Sequence, residues 1–303
     1  MISLKQLIYA LAVEKTRHFK KAADMCAVSQ SALSTAITEL EKQLDIQIFE
    51  RDNKKVLVTP IGQQFLDKAQ QIKLAVDDLY LLANAEKAPL SYPMTIGVIP
   101  TIAPYLLPKV LPGLRKAFPE FQLSIVEEQS HALVDMVRKG EIDAAILALP
   151  YEHEGLLAFE FWQEDFFWVT HKDNEHSAQQ EITSDELREA RLMLLKDGHC
   201  LKDHALAACK MQNTETDHTL DSTSLHTLIQ MVAGRMGSTL VPAMALDQLV
   251  TGSQELRAVH LNEKGPHRRI AFVVRPNYTG VSNIELLMKL FREQLEKKTS
   301  SKK

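Results

Sequence analysis

The chain has 303 residues, 45% of them hydrophobic and 24% charged, the profile of a globular protein long enough for two or three folding units. Its formal net charge of −4 carries no sign of a nucleic-acid partner, although residues 1–60 hold nine Lys/Arg against seven Asp/Glu, a mild local excess of positive charge. No stretch reaches the roughly 18 apolar residues of a membrane helix, and Lys5, Glu14 and Lys15 interrupt any apolar leader. Neither a membrane nor a secreted placement is therefore expected, and the three cysteines, Cys26, Cys200 and Cys209, belong to a reducing cytoplasm rather than to a disulfide framework.

In chain order, Leu4, Leu7, Ile8 and Leu11 predict a first amphipathic helix, and Phe19, Ala22, Ala23 and Cys26 a second, with small alanines that admit a close neighbour. Cys26 falls on that apolar face, which makes it a structural residue. Ser29 stands as the N-cap of a third helix, which buries Leu33, Ile37, Leu40 and Leu44. The opposite face presents Gln30, Ser31, Ser34, Thr35 and Thr38, slender polar groups that can approach base edges and phosphates of double-stranded DNA. A two-stranded wing follows, from Phe49-Glu50-Arg51 through the basic tip at Lys54 and Lys55 to Val56–Thr59, with cations where a phosphate backbone would pass.

Phe19-Lys20-Lys21-Ala22-Ala23, Val28-Ser29-Gln30-Ser31-Ala32-Leu33-Ser34, Leu40-Glu41, Phe49-Glu50-Arg51 and Val58-Thr59-Pro60-Ile61-Gly62 together resemble the LysR-type regulators, over essentially the whole chain. The resemblance implies a transcription regulator, not an enzyme, with an α-helical winged helix-turn-helix at 1–60, a linker and dimerisation helix with its hinge at 61–92, and a regulatory domain at 93–303. It also implies self-association as a dimer or tetramer and contact with RNA polymerase. Asp45 stands where the family usually has Gly after the recognition helix, and Asp is among the residues that tolerate a left-handed cap.

From Pro60, the stripe Ile61, Phe65, Ile72, Val76, Leu79 and Leu82 predicts one long helix ending near Glu86, with an apolar face that needs a partner. Strand and helix signals then alternate: strands at Met94–Ile99, Leu123–Glu127, Ala144–Leu149 and Ile270–Val274, helices at Tyr105–Ala117, His131–Lys139 and from Val281, and further units at Leu192–Leu195, Ser224–Val232 and Thr239–Val241. The pattern predicts an α/β domain with mostly parallel sheets. By resemblance it is the two-lobed, periplasmic-binding-protein-like domain of LysR-type regulators, with a second lobe at about 166–267. Pro100-Thr101 and Gln129-Ser130 are candidate walls of an interlobe cleft.

The chemically densest segment is Lys196 to Cys209. Asp203 is expected to cap a short helix reaching about Lys210. Cys200 then precedes a helix N-terminus with His199 and Lys202 nearby, and positive charge and the dipole favour its thiolate. Cys209 shares an apolar stripe with Ala205 and Leu206. Three readings fit the residues: two unrelated cysteines, a metal site using His199, Cys200, His204 and Cys209 at a spacing of no common zinc pattern, and a reversible disulfide.

Leu195-Lys196-Asp197-Gly198-His199-Cys200-Leu201-Lys202-Asp203 with Cys209 beyond it, Ile99 to Pro108, Ile146 to Leu149, and Pro266-His267-Arg268-Arg269 look like the peroxide-sensing branch of the family. That resemblance implies hydrogen peroxide as the signal, Cys200 as the thiol it oxidises and Cys209 as its disulfide partner, with no metal and no cofactor. It also implies a peroxide pocket of Thr101, Ser130, His199, Lys202 and Asp203, supported by Arg268 or Arg269. Ser130 stands where Thr is familiar, Lys202 where Arg is common, and Gly234 to Thr239 also departs from the family's usual form. Cysteines nine apart on a helix are separated by roughly 10–13 Å against the ~5.5–6 Å that a disulfide needs between Cα atoms, so the helix must unwind for the bond to close. The alternative within the family is a regulator that binds a metabolite in the cleft, with incidental cysteines; outside it stands a thiol peroxidase or binding protein fused to a DNA module.

Overall fold

The computed structural model describes residues 1–52, 55–85, 88–188, 190–211 and 224–300, with the side chains of 51, 52, 55, 80–85 and 298–300 outside that description. Two compact units divide the chain, Met1–Glu86 and Lys87–Lys303.

The first unit begins with helices α1 (Leu4–Thr16), α2 (Phe19–Met25) and α3 (Gln30–Leu44). Ser3 and Gln6 cap α1 reciprocally, the His18 ring accepts the first amides of α2, and the Ser29 hydroxyl accepts the Ala32 amide of α3, satisfying donors that a helix start leaves open. Asp45 ends α3 in the left-handed conformation, φ 52°. The core joins Ala10, Val13, Ala22, Ala23, Leu33, Ile37, Leu40, Ile48 and Phe49. Leu4 stays exposed, so α1 packs through Leu7, Ala10 and Val13 rather than through the larger residues at its start. Strands β1 (Phe49–Asp52) and β2 (Lys55–Val58) form an antiparallel hairpin, tied to α3 because a Glu41 carboxylate oxygen accepts the amides of Ile48 and Phe49.

Helix α4 (Pro60–Ala85) follows directly. A Cβ on Gly62 would stand 2.3 Å from the Ile48 carbonyl oxygen, so only glycine allows the helix to start this close to the hairpin. Among its described side chains, Leu66, Ala69 and Leu74 are buried. Of the stripe read from the sequence, Ile61, Ile72 and Leu79 are exposed, Leu79 by 63%, Phe65 and Val76 are half-buried, and the Leu82 side chain lies outside the described residues.

The second unit holds two sheets. The first runs β4 (Leu123–Glu127), β3 (Met94–Val98), β5 (Ala144–Leu149), β11 (Arg268–Val274), β6 (Leu157–Glu164). Helices α5 (Ala103–Ala117), α6 (Ser130–Lys139) and α11 (Val281–Ser300) belong to this lobe. The second runs β8 (Glu181–Ile182), β10 (Leu256–Leu261), β7 (Phe166–His171), β9 (Thr239–Pro242). It carries α7 (Ser184–Leu187), α8 (Cys200–Ala208), α9 (Leu225–Ala233) and α10 (Leu246–Leu249). The expectation of mostly parallel sheets is corrected. Three pairings are parallel and four antiparallel among the described residues. Crossover helices keep β3, β4 and β5 parallel, but β11 returns from the other lobe and inserts antiparallel between β5 and β6. Leu192–Leu195 forms no named strand among the described residues, but carries isolated bridge positions at Leu192, paired with Ser238, and at Leu195. Only Asp165 separates β6 from β7, and residues 262–267 lead back from β10 to β11.

Candidate functional site

Gln30, Ser31, Thr35 and Thr38 are exposed on α3, and Ser34 is half-buried. The Ser31 hydroxyl lies 3.1 Å from that of Ser29, so the polar face begins at the helix cap. The Arg51 backbone lies in β1 and that of Lys55 in β2, but their side chains, and all of Lys54, lie outside the described residues.

The thiol site is assembled from both lobes. Gly198 adopts φ +95°, a conformation that favours glycine. It turns the chain so that His199 becomes the N-cap of α8 and Cys200 its first residue. Asp203 is therefore not the cap; it sits exposed within the first turn. Cys200 is buried against the first lobe, where the Ser130 hydroxyl, on the first residue of α6, and the backbone of Ala148 in β5 hydrogen-bond to it. Burial pushes its thiol above the ordinary range, and the charge of exposed Asp203 adds to the rise. Ser130, the Arg268 guanidinium and Ala148 act in the opposite sense. The resting group is thus a thiol. The expected thiolate fails because burial dominates and because the two expected cations serve elsewhere. His199 is held neutral by burial, its pKa lowered, and Lys202, only 3% exposed, gives its ammonium to Asp197 at 2.8 Å.

Arg268 is the cation that does reach the site. Its Nε donates to Glu164 Oε1 at 2.6 Å, and Nη2 donates to the Thr101 carbonyl at 3.3 Å. Its Nη1 and the Thr101 Oγ1 are buried without a hydrogen-bond partner among the described residues. Arg269 does not join them. Adjacent residues of a strand face opposite ways, and Arg269, 43% exposed, pairs with Glu160. Thr101, Ser130, Cys200 and Arg268 are brought together; Lys202 and Arg269 are not. Thr101 and His199 also line an interlobe cavity of about 340 Å³ with Pro100, Tyr105, Leu225 and Gln248. Glu164 escaped the sequence reading. It is buried, holds Arg268, and accepts the Met244 amide at 2.7 Å. The only local signal was a carboxylate closing an apolar strand run.

Cys209 forms the C-cap at the far end of α8, fully buried. Burial, and secondarily the charge of Glu263, pushes its thiol up to about 12. At about 1.5 Å per residue, nine residues of helix separate the two cysteines by roughly 13 Å.

A helix-turn-helix unit followed by a two-lobed α/β domain defines a class of DNA-binding regulators. Residues 4–63 match the family model of the bacterial regulatory helix-turn-helix proteins of the lysR family, and residues 87–296 match that of the LysR substrate binding domain. The chain belongs to the LysR family of transcription regulators, which are not enzymes. It is 35% identical over 290 residues to the HTH-type transcriptional regulator EstR of Acinetobacter baylyi, covering 96% of each chain. To the hydrogen peroxide-inducible genes activator of Dickeya chrysanthemi it is 33% identical, covering 97% of this chain and 96% of the relative. Among solved structures, a full-length OxyR from Pseudomonas aeruginosa, with a cysteine replaced by aspartate, superimposes with a TM-score of 0.80 at 32% identity, covering 96% of this chain and 95% of that one. Among the described residues no helix is long and apolar enough to cross a membrane.

Proposed function

We propose that this regulator senses hydrogen peroxide through Cys200 and Cys209. The observation that carries the reading is a buried thiol hydrogen-bonded by Ser130, beside two buried polar atoms that have no partner among the described residues, Thr101 Oγ1 and Arg268 Nη1. A small molecule that both donates and accepts hydrogen bonds suits such a pocket. The Cys200 sulfur attacks one peroxide oxygen, an S–O bond forms as the O–O bond breaks, and the departing oxygen takes up the thiol proton and leaves as water. Cys209 then attacks the sulfenic sulfur, an S–S bond replaces the S–O bond, and a second water leaves. Because the reacting ends of α8 lie far apart, closure requires the helix to unwind, so oxidation selects between two packings of one segment.

In this reading 1–60 is a winged helix-turn-helix with Gln30, Ser31, Ser34, Thr35 and Thr38 toward the bases and Arg51, Lys54 and Lys55 toward phosphates. Residues 61–92 pair two subunits through the exposed Ile61, Ile72 and Leu79, and pairing presents two recognition helices to two half-sites. Residues 93–303 form a periplasmic-binding-protein-like sensor with its second lobe at about 166–267. The setting is a reducing cytoplasm, the assembly a dimer or tetramer, and the downstream contact RNA polymerase. His199 and Asp203 border the pocket, whereas Lys202 and Arg269 support it only through their neighbours.

Peptide mapping after a brief peroxide pulse, paired with footprinting on genomic DNA fragments, tests the reading. The native chain is expected to show an intrachain 200–209 link and an altered footprint, and Cys200→Ser to show neither. A footprint change retained in Cys200→Ser would overturn the sensor and point to a metabolite in the interlobe cavity.

A further inference from the structure

Helix α8 follows β7 and β8 of the second lobe, yet it rests on the first. Cys200 reaches Ser130 and Ala148 there, and a second tether lies one turn on. His204 is buried, and its Nε2 lies 2.8 Å from the Pro150 carbonyl oxygen in the turn after β5. A carbonyl only accepts, so Nε2 carries the proton and Nδ1 is a bare lone pair. That Nδ1 is buried without a partner among the described residues.

We propose that His204 is a positioning residue for the step in which Cys209 closes on oxidised Cys200: its bond to Pro150 holds α8 wound and must break before the two sulfurs can meet. The inference rests on reading the two cysteines as a reversible pair. His204 stands between them on the helix, so no unwinding that brings Cys200 and Cys209 together leaves it in place. In closure the S–O bond of the sulfenic acid breaks, the S–S bond forms, and the Cys209 proton leaves with the hydroxyl as water.

The ring's surroundings give this role a signature in pH. Burial keeps the imidazole neutral, pushing its pKa down; the Pro150 bond acts upward, Arg268 from β11 downward and Asp203 on α8 upward. Cys200 lies one turn earlier on α8, and Tyr151 follows Pro150 in sequence. Once released, the ring regains an ordinary pKa of about 6.5. A base whose pKa is depressed in the wound state stabilises that state fully above the released value and less as pH falls through it. The hold of His204 on the wound helix therefore weakens in acid, an effect separate from the ionisation of the attacking Cys209.

The test follows sulfenic acid by a dimedone-type trap, and the 200–209 link by rapid quench and peptide mapping, in the full-length chain after one peroxide pulse. His204→Leu is expected to close about three- to tenfold faster, the effect of losing one hydrogen bond, with sulfenic acid forming at the native rate. His204→Gln keeps a donor at the Nε2 position and is expected to close at the native rate at pH 8. The closure rate of the native chain divided by that of His204→Gln is expected to rise as pH drops below about 6.5. Closure in His204→Leu no faster than native would overturn the inference, as would His204→Gln behaving like the leucine variant or a ratio flat with pH. Failure of the native chain itself to form the sulfenic acid or the link is a different result. It removes the redox reading, and this inference with it, before any variant is compared.

Discussion

Replacing Ser130 by alanine isolates the largest influence that favours ionised Cys200. Burial drives the thiol upward, and the Ser130 hydroxyl is foremost among the groups opposing it. The substitution spares the helix, because the N-cap of α6 is Gln129 and no side chain caps it. A hydrogen bond to a charged group contributes about 1.5–3 kcal/mol. The sulfur carries only part of a full charge as it attacks, so about half of that is lost from the barrier, which slows the reaction about tenfold. The assay is the rate of sulfenic acid formation against peroxide concentration in a Cys209→Ser background, where closure cannot drain the product. Ser130→Thr keeps the hydroxyl and is expected to react within about threefold of native, the hydrogen bond being retained. Loss of the donor moves the thiol further up, so the alanine variant's deficit is level while both thiols stay protonated and narrows only once pH passes the native thiol's own raised pKa. A native rate in Ser130→Ala, or a deficit that widens as pH is raised, would refute the reasoning.

The two neighbouring arginines are expected to part company. Arg268→Gln leaves Glu164 as an unpaired buried carboxylate, costing about 3–5 kcal/mol in a urea midpoint measurement, and abolishes the peroxide reaction; Arg269→Gln shifts stability by about 0.5 kcal/mol or less and keeps the response. In the DNA-binding unit, Lys54→Ala weakens binding to all duplexes alike and lowers the salt slope by about one unit, whereas Thr35→Leu changes sequence preference. Salt titrations on a set of duplexes separate the two, and equal, sequence-blind losses would refute base reading by Thr35.

What was legible in the sequence was whatever a local period or cap writes there. The three N-terminal helices appear where apolar spacing and the cap residue Ser29 put them, since both signals act within one or two turns. Parity along a strand is written locally too, but not its sense. Arg268 and Arg269 must face opposite ways, and nothing adjacent says which faces inward until β11 is seated between β5 and β6. Mixed sheets escaped for the same reason, because the antiparallel pairings depend on a strand that comes back only after the whole second lobe. The partner of Lys202 was not legible either, because a buried ammonium takes a carboxylate within reach and Asp197, five residues earlier, supplies it.

The element least legible ties these features together. Glu164 is the last residue of the first lobe before the chain leaves it, and Arg268 the first of β11 after it returns. These residues, 104 apart in sequence, pair across the β6–β11 ladder and share a buried ion pair at 2.6 Å. The guanidinium that offsets burial at Cys200 is therefore also the clasp on both crossings between lobes. Glu164 in addition accepts the Met244 amide just after β9 of the second lobe, so one carboxylate touches the cation of the thiol pocket and the backbone of the far lobe. Arg268 cannot shift without moving Glu164, because a buried ion pair separates only at a cost of several kcal/mol. The cation beside Cys200 is thus joined to both lobe crossings, through contacts that exist only once the chain has crossed twice.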